Sequence, residues 1–211
     1  MQVRSLVSVG VIFTILVGGS LAAFAQIRRY PSQAELRREI AEFRQMIPLL
    51  QQSGQFGRGR RNRALERFTQ AWSRVDPTIA PFLGTWHGQE SDWNIYPSNV
   101  RGRVCMIFRS PVEVAPGVSF GLGYASNGQL RTNEVTTITG RNAFVFIRQG
   151  NYLGIVSVDD NNQASLSPYS AFSDALKPPI ELLSNLSQST KTTIMQRFNA
   201  SGCTASLPNR R

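Results

Sequence analysis

The chain has 211 residues, 23 Lys and Arg against 13 Asp and Glu, a formal charge of +10 and 41% hydrophobic residues. The apolar content excludes a disordered polyelectrolyte, and the length suits one domain with a sizeable core, or one domain plus a helical appendage. A single His, two Cys and no Cys-x-x-Cys pair argue against a metal site, and no cofactor motif is present.

Arg4 precedes an uncharged, mostly apolar run from Ser5 to Ala25 that ends in Ala23-Phe24-Ala25. This pattern predicts a signal peptide over residues 1–25 and export to the periplasm or the extracellular space. The same run is close to the roughly 20 residues that cross a bilayer, so the alternative is an N-terminal membrane anchor. The rest of the chain divides by charge. Residues 26–76 hold eleven Arg and five acids, residues 77–170 six of each, and residues 171–211 five basic and two acidic side chains.

Residues 26–76 read as a basic helical hairpin. Ser32 and Glu35 form a capping box, and Leu36, Ile40, Phe43, Ile47 and Leu50 make one apolar stripe, disturbed by Pro48. Ser53 to Arg63, broken by its glycines, reads as a basic loop. A second helix follows from about Asn62 to Val75, with Leu65, Phe68, Trp72 and Val75 on its stripe, and ends at Asp76-Pro77.

From Phe82 the apolar period becomes two. Gly84–Tyr96, Arg101–Arg109, Val118–Tyr124, Leu130–Ile138, Ala143–Arg148, Tyr152–Val158 and the short Ala164–Leu166 predict six or seven strands. Short turns at Ser126-Asn127-Gly128, Thr139–Asn142, Gln149–Asn151 and Asp159–Asn162 join them, which implies an antiparallel meander closing into a curved sheet or small barrel over 77–170. Residues 171–211 read as a helical tail packed on that sheet, with short helices over Ile180–Leu186 and Ser189–Phe198. The fold class is therefore α+β. In an exported chain Cys105 and Cys203 pair as a disulfide, stapling the tail to a central strand.

The chemistry-bearing residues are sparse. His87 stands near Glu90 and Asp92, which admits a hydrolase with His87 as general base. No nucleophile motif accompanies it, and period two places the carboxylates on the face opposite His87. Asp159–Asn162 lacks the spacing of a calcium loop and reads as a turn. Twenty-one of the 23 basic residues are Arg, suited to bidentate contact with anions. Arg58, Arg60, Arg61, Arg63 and Arg67 are the candidate contacts for an anionic protein or membrane surface; export makes nucleic acid an unsuitable partner.

Gly84-Thr85-Trp86 resembles the Gly-x-Trp that opens the first strand of lipocalin-type barrels. The resemblance implies a barrel holding a small apolar ligand, a Trp plugging one end, and a late-strand Arg over it, for which Arg148 is the positional counterpart. A cysteine bridge from a strand to the tail is also similar. Trp86, Phe108, Phe120, Phe144, Phe146 and Arg148 are then the candidate ligand-binding residues. The expected function is a non-enzymatic exported binding or scaffold protein contacting an anionic partner through its Arg-rich helices; the alternatives are a small-ligand carrier and the His87 hydrolase.

Overall fold

The structure, a computed structural model, describes residues 29–53, 63–88, 91–110, 117–132, 135–137, 140–171 and 176–208. The signal segment, Arg58, Arg60, Arg61 and Glu90 lie outside the described residues.

The capping box forms as the sequence implies. Ser32 N–H donates to Glu35 Oε2 at 2.7 Å, Glu35 N–H donates to Ser32 Oγ at 3.3 Å, and α1 runs from Gln33 to Ser53 through Pro48. The Arg29 guanidinium binds Glu35, and it and the Ser32 backbone hold that carboxyl well below its usual range. Helix α2 spans Arg63–Ser73, and a single 3₁₀ turn at Ala80–Phe82 leads into the sheet.

Ten strands follow among the described residues: β1 Gly84–His87, β2 Asp92–Pro97, β3 Arg103–Ser110, β4 Gly117–Ser126, β5 Gln129–Thr132, β6 Val135–Thr137, β7 Gly140–Asn142, β8 Val145–Gln149, β9 Tyr152–Val158 and β10 Ala164–Ala171. Eight close into an antiparallel barrel in the order β1-β10-β9-β8-β5-β4-β3-β2, while β6 and β7 form a separate two-stranded sheet. The strand count exceeds the expected six or seven for three reasons. Gly84–Tyr96 is a hairpin rather than one strand, with Gly88 N–H bonding Ser91 O. Leu130–Ile138 divides between β5 and β6, and Gly140–Asn142, expected as a turn, is β7. β10 also runs past Leu166, through Pro168, to Ala171, where it pairs with β1 and closes the barrel.

Three helical layers cover this barrel. Leu36, Phe43 and Leu50 of α1 pack on the outer face of β8, β9 and β10, against Val145, Ile147, Tyr152, Val156 and Val158. Phe43 also fits over Gly154, where an added Cβ would sit 3.0 Å from its ring. α2 crosses one barrel end. Its Leu65, Phe68 and Trp72 join Ile79, Phe82, Leu83 and Trp86 in a plug continuous with the interior. The two helices thus bury their stripes on different parts of the barrel. Val75, expected on the α2 stripe, is 55% exposed because the helix stops at Ser73.

The third layer is α3 (Pro179–Leu182) and α4 (Gln188–Ala200), capped by Ser187. Leu182, Leu183, Ile194 and Phe198 cover Tyr96, Cys105, Ile107 and Phe120 on the outer face of β2, β3 and β4. Cys105 and Cys203 form a disulfide across 98 residues. The tail then bridges to β2 through Ser98↔Cys203 and Thr204 N–H to Pro97 O, and Trp72 donates its indole N–H to Ser206 O.

Candidate functional site at the open end of the barrel

At the end opposite α2 the inward side chains of the described residues become exposed. On β10 the inward positions are Ser165, Ser167, Tyr169 and Ala171, by register with Ser157, Ile155, Leu153 and Trp86. Ser165 and Ser167 are exposed, Tyr169 is 8% exposed and Ala171 4%. The same grade runs along β3 and β4, where Phe108 and Ser119 are half-buried while Met106 is fully sealed. Trp86, Met106, Leu130 and Phe146 have no exposed surface, so this half of the interior is packed solid. The other half, as far as its described residues go, sets exposed inward serines above a floor of aromatic rings, and this arrangement is termed the cup.

Trp93 is the centre of that floor. Its ring lies 4.8 Å from Phe108, 5.3 Å from Phe144 and 5.0 Å from Phe146, the last two edge-on. Such contacts fix its orientation. Its indole Nε1 is the one buried side-chain nitrogen or oxygen among the described residues without a hydrogen bond. The Tyr169 hydroxyl, paired with Ser91 Oγ at 2.7 Å, lies close enough for the indole N–H to favour its ionised form but outside hydrogen-bond geometry. Burial pushes the Tyr169 phenol above its usual value, so it stays a neutral hydroxyl. Ser91 belongs to the β1–β2 turn, which sets both groups at the mouth side of Trp93. A buried donor left unpaired costs about 1–3 kcal/mol, and such a group is what a ligand acceptor can satisfy.

The six residues expected to line a ligand site separate. Phe108 and Phe144 are at the cup floor, and Phe146 is sealed beneath it. Trp86 belongs to the plug, its Nε1 donating to Phe82 O at 2.7 Å. Phe120 faces outward, because its partner Ile107 lies on the outer face of β3; it packs under α4, with the Arg197 guanidinium 5.1 Å from its ring centroid. Arg148 is at the plugged end, where it donates to Pro81 O at 2.9 Å and Gly150 O at 2.7 Å. Trp86 and Arg148 thus clasp the same 3₁₀ turn. Burial lowers the Arg148 pKa from its ordinary high value. Arg63 and Arg67 lie on the exposed face of α2 without a hydrogen bond or ion pair to another described residue.

Trp93, Tyr169 and the β10 serines were not singled out by the sequence. The Ser165-x-Ser167-x-Tyr169 alternation is present in the sequence, but the expected strand stops at Leu166, whereas β10 runs on to Ala171.

On the outside of the barrel the β1–β2 hairpin changes the placement of His87. It faces Asp92 directly, and Nδ1 contacts Asp92 Oδ1. Continuous period-two numbering had put them on opposite faces; the turn at Gly88 reverses the chain and brings them together. The register also sets Ser170 beside His87, giving a Ser170–His87–Asp92 row across three strands. Ser170 is 2% exposed, so the row offers no accessible hydroxyl to a substrate.

Gly88 supports the cup. A Cβ there would lie 2.4 Å from the Tyr169 ring. Gly88→Ala is expected to cost about 1–3 kcal/mol as an overpacking change and to displace Tyr169 from Ser91, readable as a shift in the tyrosine near-ultraviolet signal together with a lower thermal midpoint. An unchanged midpoint would mean that the ring moves freely.

No family model matches the chain, and neither a curated protein nor a solved structure matches it significantly.

Proposed function

We propose that this is an exported, non-enzymatic binding protein that takes a small, largely apolar ligand in the open mouth of its barrel, as the lipocalin-like Gly84-Thr85-Trp86 resemblance implies. The observation that carries the reading is Trp93: a buried indole N–H without a partner, set in an aromatic floor at the foot of an open cup. A planar apolar body fits against the rings, and one hydrogen-bond acceptor on it meets the N–H once the side chains that leave Trp93 1% exposed give way to the ligand. Export rests on the signal-like segment, and the disulfide accords with it. Among the described residues no helix is long and apolar enough to cross a membrane. The catalytic alternative has a His87–Asp92 contact but a sealed Ser170, which favours binding over hydrolysis.

Nile red, an apolar dye with a carbonyl acceptor, is the probe. Titration is expected to raise its emission and quench tryptophan fluorescence. Trp93→Phe is expected to weaken binding about tenfold, the worth of one hydrogen bond to a buried donor. The same variant changes stability by less than about 1 kcal/mol, since lost packing and the removed unpaired donor offset. Trp86→Phe breaks a made hydrogen bond, costs about 2–4 kcal/mol and leaves dye affinity unchanged in the folded fraction. Equal dye affinity in wild type and Trp93→Phe, or no binding at all, would sink the reading.

A second reading, the anionic partner of the basic helices, has Arg63 and Arg67 in its favour, both exposed on α2 and unpaired among the described residues.

A further inference from the structure

A groove of about 800 Å³ lies at the plugged end of the barrel, remote from the mouth. Its walls are the last turn of α2, the β2–β3 loop and the chain tail. Trp72, Arg74, Val75, Asn99, Arg101 and Leu207 carry the argument. Val75 is 55% exposed and Leu207 59%, and Val100 in the same loop is 43% exposed. Two of the six large, strongly exposed apolar side chains of the described residues therefore line the groove, and a third, Val100, is in the loop that walls it, the pattern of an interaction surface rather than of scattered exposure.

Charge gives the groove its preference. Arg74 and Arg101 are exposed, and neither makes a hydrogen bond or ion pair with another described residue. The lining holds one acid, Asp76, and its carboxylate is fully engaged elsewhere: Oδ1 accepts from Thr78 N–H at 3.1 Å and Thr78 Oγ1 at 2.5 Å, and Oδ2 accepts from Gly102 N–H at 2.6 Å. The two guanidiniums thus remain unneutralised at the edge of an apolar floor.

The walls are also held in place. The tail is fixed by the Cys105–Cys203 disulfide, by Thr204 N–H to Pro97 O and by Asn99 N–H to Gly202 O; Trp72 Nε1 to Ser206 O ties α2 to it. Gly202 permits the close fit, at φ +66° and with the Asn99 side chain where a Cβ would go. A preformed site loses less ordering entropy on binding.

We propose that this groove docks an extended, acidic peptide segment of a partner protein, with one apolar side chain seated among Trp72, Val75 and Leu207 and carboxylates on Arg74 and Arg101. A concave floor flanked by cations suits a chain segment. A membrane surface would instead require the apolar side chains to project outward.

The test uses a fluorescein-labelled peptide with a central Phe flanked by glutamates, and its counterpart with lysines in place of the glutamates. Anisotropy is expected to show binding of the acidic peptide alone. Affinity falls about tenfold or more in the double variant Arg74→Glu, Arg101→Glu, and falls with added salt as exposed ion pairs do. Val75→Asp weakens binding as well, because its charge repels the peptide and its apolar contact is lost. Both sites of change are exposed, and circular dichroism with unchanged Nile red binding confirms the fold. Equal binding of the two peptides, or affinity unchanged by the charge reversal, would overturn the proposal. So would binding to vesicles of anionic lipid that the reversal abolishes while the acidic peptide fails to bind.

Discussion

Replacing Cys105 and Cys203 together by Ala lowers the unfolding free energy by about 3–5 kcal/mol, the largest effect expected of any change outside the barrel interior. The bridge spans 98 residues of sequence. In the loop-entropy picture a closure of that size takes away about 4–5 kcal/mol of freedom from the unfolded chain. The folded state loses less, because other contacts still hold the tail: Ser98↔Cys203, Thr204 N–H to Pro97 O and Arg103 Nη2 to Ser201 O at 2.6 Å. Guanidinium denaturation with and without reductant checks this. Reductant should bring the wild type down to the variant and leave the variant unmoved. A loss below about 1 kcal/mol would mean that strain in the native bridge offsets the loop term. Reduction should also slacken the tail that walls the groove and so weaken the acidic peptide, while Nile red at the opposite end stays bound.

The parts of this fold legible in the sequence are those encoded by neighbours. Ser32 and Glu35 cap α1 as their spacing dictates. Asn127 and Gly128 take φ of 52° and 72°, the left-handed pair that joins β4 to β5. Ile194 and Phe198 form the buried side of α4 as the period of 3.6 requires. What the sequence concealed is set by distant pairing. Nothing near Trp86 announces Ala171 as its partner, yet that contact turns an open meander into a closed barrel. Phe108 and Phe120 are both strand aromatics, and only the β3–β4 register decides that one faces the cup and the other α4. The candidate site suffered most. Its floor depends on reading the β1–β2 hairpin correctly, because a turn at Gly88 fixes which face Trp93 takes, and its wall depends on a strand that continues through Pro168.

Asp76→Ala is expected to cost about 2–4 kcal/mol although it removes only three heavy atoms. The residue is 3% exposed and joins three elements. Its carboxylate caps the turn after α2 through Thr78 and reaches across to the Gly102 N–H in the β2–β3 loop. Burial opposes its ionised form, but Thr78 Oγ1 and the backbone N–H groups of Gly102, Thr78 and Ile79 outweigh burial and hold the carboxyl below its usual range. Deleting it strands buried donors at about 1–3 kcal/mol each, partly recovered by water. Asn is a poor replacement, since one of its two terminal atoms donates where a donor already sits. The pH consequence follows from the direction of the shift. A folded-state pKa below the unfolded value of about 3.9 gives stability that is present above pH ~4 and is lost as pH falls through the folded pKa. The difference in stability between wild type and Asp76→Asn should therefore be flat from neutral pH to about pH 5 and shrink below pH ~4. Denaturation midpoints measured across that range decide the matter: a difference that stays constant into acid would show that the carboxylate charge contributes nothing and that Asp76 acts only by shape. Arg74 and Arg101 do not depend on Asp76 for pairing, so acid weakens the scaffold beneath the groove without altering the charge of its rim; the peptide's own glutamates, with an ordinary pKa of about 4.3, lose their charge over the same range, so the stability difference and not peptide affinity reads the Asp76 carboxylate.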